Sequence, residues 1–325
     1  MAALGPSALN ALATLQGTQL FGRQLNLVLG VPNSPKLLAS AAFNDQNSHG
    51  LDVSGLDCDF VVEKSLKPTE PNTLQLKVYN FSEDTRQALS GDHDITVKLE
   101  AGYKGGISQL YFAEARAAWT ETSGEGAATY VTHIESTDSV ARPTGVRKTK
   151  KIQPNDHGGG NIYRTLGPKV SLVDAFRALS KVLGVGVGNL EAAVAKYGTG
   201  IQSVNGSALL GNGAQRMTDI CRSAGLEWSI QDGQLQLLNV GGVLSTTQAI
   251  QISENTGMLD SPSVDSQGVV SVKTRLIPGL APGVLVVIDS LFVGEGSGFR
   301  VQKCRYTGST YGDAWDIEFS ALPYS

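Results

Sequence analysis

Asp156-His157-Gly158-Gly159-Gly160 has the residue types of an oxyanion-hole loop, in which successive glycine amides point at a developing negative charge. Such a loop serves a nucleophile on a G-x-S-x-G turn, and the chain has no such turn: Gly296-Ser297-Gly298 and Gly308-Ser309-Thr310 lack the frame. A flexible connection explains the glycines. Gly184-Val-Gly186-Val-Gly188 has the look of a phosphate-cradling turn, but it follows a helical pattern and carries no Lys-Ser/Thr, so it reads as a loop between helices. His49, His93, His133 and His157 have no partner at i+4 and no H-E-x-x-H helix, which argues for solvated or core histidines over metal ligands. Glu114 with Glu121 or Glu125 offers paired carboxylates for glycoside cleavage, yet all three fall in strand and hairpin patterns that already account for them. Arg147, Lys148, Lys150 and Lys151 form a basic run that fits a solvated linker or a subunit interface better than a grip on DNA or an acidic partner. No catalytic residue, cofactor site or metal site is expected.

Composition points the same way. The chain of 325 residues exceeds one ordinary core, so two or three domains are expected. With 38 glycines, 17% charged and 6% aromatic residues, it suits short strands and tight turns better than a helical bundle. A net charge of -4 leaves no electrostatic footprint for sequence-independent nucleic-acid binding. Cys58, Cys221 and Cys304 are too few and too scattered for a disulfide framework or a zinc site, and read as small core residues. The apolar start is broken by Gly5, Pro6, Asn10 and Gln16 and has no basic leader, so neither a signal peptide nor a membrane span is expected.

Leu74, Leu76 and Val78 alternate with Thr73, Gln75, Lys77 and Tyr79, the period of a half-buried strand. Asn80-Phe81 breaks that period, and Ser82, followed by Glu83 and Asp84, caps a short helix that reaches Leu89. A second alternating strand runs from Ile95 to Tyr103, with Gly102 permitting a tight corner. Earlier strands are expected around residues 25–29 and 56–62, and later ones around 110–116 and 128–135, joined by a Gly124-Glu125-Gly126 turn. Residues 1–20 form an arm or a short helix, packing on the chain itself or on a neighbour. Residues 146–168 are a linker.

A middle module follows at 169–242. Ser171 caps one helix with its apolar stripe from Leu172 to Leu183, two shorter stripes follow, and Asp232-Gly233 is a hairpin signal between alternating strands. From 243 to 325 strands return, separated by turns bearing Gly or Pro. The expected fold is α+β and mostly β, with two similar β-barrel domains, 21–145 and 243–325, flanking a small helical and hairpin module.

The order Pro71-Asn72, Val78-Tyr79-Asn80, Thr85-Arg86 and Ala101-Gly102-Tyr103 resembles the tube domain of baseplate hub proteins from contractile-tailed bacteriophages and related injection particles. Thr256-Gly257, Ser261-Pro262, the stretch with Pro278, Pro282 and Gly283, and Gly312-Asp-Ala-Trp315 resemble that family's C-terminal domain, in the same order. Phe112-Ala113 departs from the pattern, where a glycine often follows the phenylalanine. The resemblance implies tube-type barrels in a structural homotrimer within the virion baseplate, assembled in the host cytoplasm. That ring adapts the six-fold tail tube to the three-fold central spike and surrounds a channel through which DNA passes without specific binding. It also implies contacts with the spike, a tube or tube-initiator protein, and the tape-measure and wedge proteins. The residues it singles out structurally are Pro71, Asn72, Tyr79, Asn80, Arg86, Gly102, Tyr103, Pro278, Gly283 and Trp315. A tail-associated cell-wall hydrolase is the alternative.

The two β segments also resemble each other. Val97-Lys-Leu99 precedes Phe112 as Val286-Val-Ile288 precedes Val301, and a closing strand follows each. The identity is thin, and two unrelated strand-rich segments remain open as the explanation. If the likeness is a duplication, three chains would present six similar units around an axis.

Overall fold

The structure is a computed structural model that describes residues 13–14, 20–30, 41–42, 49–90, 95–123, 129–138, 161–165, 171–197, 208–293 and 297–324. Several expectations lie outside those residues: most of the N-terminal arm and of the linker, His93, Glu125, the Asp156 to Gly160 loop and the basic run at 147–151. The chain divides into two compact units. One comprises residues 1–64, 72–137 and 244–325, and the other 65–71 and 138–243.

The first unit is built on strands. They are β1 (Ala13–Thr14), β2 (Arg23–Gly30), β3 (Ala41–Ala42), β4 (His49–Asp52), β5 (Cys58–Ser65) and β6 (Thr73–Tyr79). Helix α1 (Glu83–Ser90) leads to β7 (Thr96–Tyr103), β8 (Gly106–Ser123) and β9 (Thr129–Thr137). After the second unit come β14 (Gln248–Ile252), β15 (Ser263–Val264), β16 (Val270–Arg275), β17 (Leu285–Ile288), β18 (Ser297–Ser309) and β19 (Trp315–Pro323). All belong to one 15-stranded sheet, antiparallel except where β14 meets β1 and β17.

Alternation explains the packing. Along β6 the inward Leu74, Leu76 and Val78 are at most 1% exposed while Gln75 and Lys77 face water, so a one-residue slip would bury the polar set. Ser82 caps α1 through its Oγ, which accepts from the Thr85 amide at 3.3 Å. One core runs through Leu27, Phe60, Leu99 and Ile134 and on to Ile252, Val301, Tyr306 and Phe319.

This corrects the expected architecture. Residues 21–145 and 243–325 do not form two separate closed barrels; their described strands share one sheet and one core, and the pairings close no barrel among the described residues. The physical reason is the joint between β5 and β18, which are hydrogen-bonded neighbours in the sheet. The Thr310 amide donates to the Cys58 carbonyl at 3.0 Å, and the Cys58 amide donates to the Thr310 hydroxyl at 2.9 Å.

The internal likeness is nevertheless visible in the pairings. The order β5-β6-β9-β8-β7 recurs as β15-β16-β19-β18-β17, with every pairing antiparallel in both sets. Beyond them the sets diverge, because β2 lies antiparallel to β7 whereas β14 lies parallel to β17.

The second unit pairs β10 (Asn161–Thr165) with β11 (Ala208–Asn212), and β12 (Leu226–Gln231) with β13 (Gln234–Asn239). Its helices are α2 (Leu172–Leu183), α3 (Leu190–Tyr197) and α4 (Gly213–Ser223). Ser171 caps α2 by accepting from the Asp174 amide, and Gly184 ends it in the left-handed region at φ 68°. Asp232 and Gly233, at φ 55° and 72°, make the β12–β13 turn that their sequence signals. Phe176, Leu179, Leu183, Met217, Leu235 and Leu237 form a separate core. The Gly184 to Gly188 stretch lies against β13: the Gly186 amide donates to Gly233, and Leu235 donates back to Gly186, both at 2.9 Å. A side chain on Gly188 would place Cβ 1.8 Å from the Leu235 carbonyl oxygen, so close backbone approach explains this glycine without a phosphate.

Candidate assembly site

The residues singled out by the sequence fall into separate places, and Trp315 and Tyr103 lie at the seam where the two strand sets meet. Trp315, at the start of β19, is 4% exposed and packs edge-on to Phe60 of β5, with ring centroids 5.7 Å apart. Gly308, across from Trp315 on β18, leaves room for the Phe60 ring, whose Cζ would lie 2.2 Å from an added Cβ. Arg23, at the start of β2, lies over the Trp315 ring at 5.5 Å. Its guanidinium donates to the carbonyls of Ser309 at 3.3 Å, Gly312 at 2.6 Å and Asp313 at 2.9 Å.

Tyr103 is paired with Arg23 across β2 and β7 and is 2% exposed. Burial raises its phenol above the ordinary range, against the opposing pull of Arg275 and Arg23. The Gly279 amide donates to Ser108 Oγ at 3.1 Å, adding another bond between the strand sets. Sequence reasoning missed Arg23 altogether. Its partners lie up to 290 residues away, and no local pattern marks an arginine that will hold a remote loop.

Tyr79, Asn80 and Arg86 form a second group. The Tyr79 hydroxyl donates to Asp59 Oδ2 at 2.8 Å. Asn80 adopts φ 58°, a conformation Asn tolerates, and exchanges hydrogen bonds with Tyr130 of β9. Arg86 stacks on the Tyr130 ring at 3.5 Å, fixing α1 to the sheet. Asn72 is buried at 1% exposure, and Gly102 sits in the β7–β8 hairpin. Pro278 and Gly283 belong to the connection from β16 to β17, where the Leu280 carbonyl accepts from the Tyr306 hydroxyl at 2.6 Å. Pro71 belongs to the second unit.

The hydrogen bond to Asp59, with burial second, pushes the Tyr79 phenol up to about 12. The bond's contribution to stability is therefore complete below the ordinary tyrosine value near 10 and is lost as pH rises through about 12. Tyr79→Phe should cost about 1 kcal/mol at neutral pH. It should also remove one tyrosine step near pH 12 from an ultraviolet titration; an unchanged titration would refute the assignment.

The remaining candidate chemistry is dispersed. Glu114 and Glu121 both lie on β8, and Glu121 Oε1 lies 2.8 Å from His133 Nε2, accepting from it in the tautomer that carries its proton on that nitrogen. Trp119 stacks on the same imidazole at 4.9 Å. Among the described residues no three His, Cys, Asp or Glu side chains converge to hold a metal. Likewise, among the described residues no helix is long and apolar enough to cross a membrane. Cys58, Cys221 and Cys304 are free and buried, and burial pushes each thiol up to about 12. The native protein at pH 8 should leave all three unmodified by a disulfide reagent, with full reaction after denaturation; fast labelling of the native chain would contradict their burial.

No protein-family model and no curated protein matches this sequence. Solved structures do. A tail protein from Neisseria meningitidis MC58 superposes with a TM-score of 0.55 at 9% identity, over 93% of this chain and 96% of that one. The 43 kDa tail protein of prophage MuSo2 from Shewanella oneidensis gives 0.54 at 9% identity, over 92% and 98%. The chain has the fold of phage tail proteins. At 9% identity the likeness is one of fold.

Proposed function

We propose that this protein is a structural baseplate hub of a contractile phage tail, with no catalytic role. Three copies form a ring that adapts the six-fold tail tube to the three-fold spike and surrounds the channel for DNA, which passes without specific binding. The observation that carries this reading is the repeated five-strand order within one chain of phage tail fold. Three chains with two similar strand sets each present six similar wall segments, while the ring as a whole keeps only three-fold symmetry for the spike.

On this reading each set is one tube-type segment of the wall, and the protein resides in the virion baseplate after assembly in the host cytoplasm. Its neighbours are the spike on one side and a tube or tube-initiator protein on the other, with tape-measure and wedge proteins nearby. A mildly acidic chain suits a channel that conducts a polyanion without holding it. The 1–20 arm, the 146–168 linker and the 169–242 module belong to the same proposal as connecting and filling parts.

The test is the native mass of the purified chain, alone and mixed with its cognate spike protein. A trimer, or a complex holding three copies per spike trimer, is the expected result; a monomer under both conditions would overturn the ring. Incubation with purified cell wall should release no fragments.

A further inference from the structure

The two strand sets match in order but not in their connections, and the difference falls on exposed apolar side chains. In the first set β7 passes to β8 through residues 104–105 alone, and Tyr103 pairs with Gly106. The equivalent strands of the second set, β17 and β18, close on the pair Ile288 and Ser297, so residues 289–296 stand where residues 104–105 suffice in the first. Leu291 and Phe292 lie in that longer connection, 95% and 70% exposed. Among the described residues no other large apolar side chain is as exposed as Leu291.

Hydrogen bonds and packing shape the connection. The Asp289 amide donates to the Ile252 carbonyl at 2.9 Å, the Val293 amide to the Ser290 carbonyl at 3.2 Å, and the Phe292 amide to Ser290 Oγ at 3.4 Å. Val293 packs against the core of the unit. A turn fastened at 289 and 293 therefore holds two adjacent large apolar side chains out into water. Such a pair marks contact with another protein, and its prior ordering lowers the cost of binding.

Charge narrows the partner. Residues 289–296 contain no lysine or arginine, so neither nucleic acid nor an anionic membrane surface finds a counter-charge there. Symmetry narrows it further. In a ring of three chains, whatever both strand sets share is repeated six times, and whatever one set alone has is repeated three times. A six-fold partner seated on the 289–296 connection would have every second subunit facing the short 104–105 hairpin, whereas a three-fold partner meets the same turn at each of its subunits. Helix α1 is likewise confined to the first set, but Ser82, Glu83, Asp84 and Gln87 make its exposed face polar. We infer that the turn at 289–293 is a contact for the three-fold spike, with Leu291 and Phe292 of each copy entering an apolar pocket on one spike subunit. This inference deepens the ring proposed above and rests on it.

The experiment compares the full chain with the double variant Leu291→Ser/Phe292→Ser. Tyr311→Ser is the control, because it removes an 84% exposed aromatic beyond the opposite end of β18. Native mass is measured first, then affinity for the cognate spike protein and for the tube protein. The double variant should remain trimeric and bind the tube protein as before, while its affinity for the spike falls by at least about thirtyfold, as when central anchors are truncated. Tyr311→Ser should match the unsubstituted chain in all three measurements. Amide exchange of residues 289–293 in the unsubstituted chain should slow when spike is added, which reads the same contact without a substitution. Unchanged exchange overturns the contact. So does a double variant that binds spike normally, loses the tube protein instead, or falls to monomers, and in each case the ring formed by the unsubstituted chain stands. An unsubstituted chain that is monomeric alone and with the spike overturns the ring, and this contact with it.

Discussion

Trp315→Ala is expected to destabilise the β unit by roughly 3–5 kcal/mol, the cost of emptying a buried aromatic site. Three groups lose their partner together: the edge of Phe60, the face that Arg23 covers, and the packing beside Gly308. The indole N–H is buried without a hydrogen-bond partner, so Trp315→Phe sacrifices volume but no polar bond and should cost less than half as much. Urea denaturation of both variants, with hydrogen exchange read on β5 and β19, measures the difference. Equal losses for the two would mean that the indole nitrogen has a role the packing does not reveal. A negligible loss for alanine would mean that the seam does not hold the strand sets together.

Gly102→Ala should cost about 3 kcal/mol or more, because an added Cβ meets main chain that cannot rotate away. It would lie 2.3 Å from the Gly106 carbonyl oxygen and 2.8 Å from the Ile107 Cα, both on the opposite strand of the β7–β8 hairpin. Gly106 supplies the control, since nothing lies within 4 Å of the Cβ it would gain. Gly106→Ala should change stability by no more than about 0.5 kcal/mol. The comparison holds the hairpin, residue type and chain length constant, so only the contact differs. Similar losses for both would show that the hairpin responds to backbone entropy and not to the clash.

Local order was legible in the residues themselves. Strand alternation marked β6 and β7, Ser82 and Ser171 marked helix starts, and Asp232-Gly233 marked its hairpin, because each is decided by neighbours a few residues apart. The likeness between the two strand-rich segments was also discernible, as spacing more than as identity.

What the sequence could not convey was how those segments join. Two separate barrels and one shared sheet have the same alternation, since period-two burial records which face is covered but not which strand lies alongside. That choice is made by contacts such as Arg23 with residues 309–313, Thr310 with Cys58, and Phe60 with Trp315. Each links positions more than two hundred residues apart. Hydrogen bonds and ring contacts of this kind depend on where a backbone arrives after folding, so tertiary structure alone selected the seam.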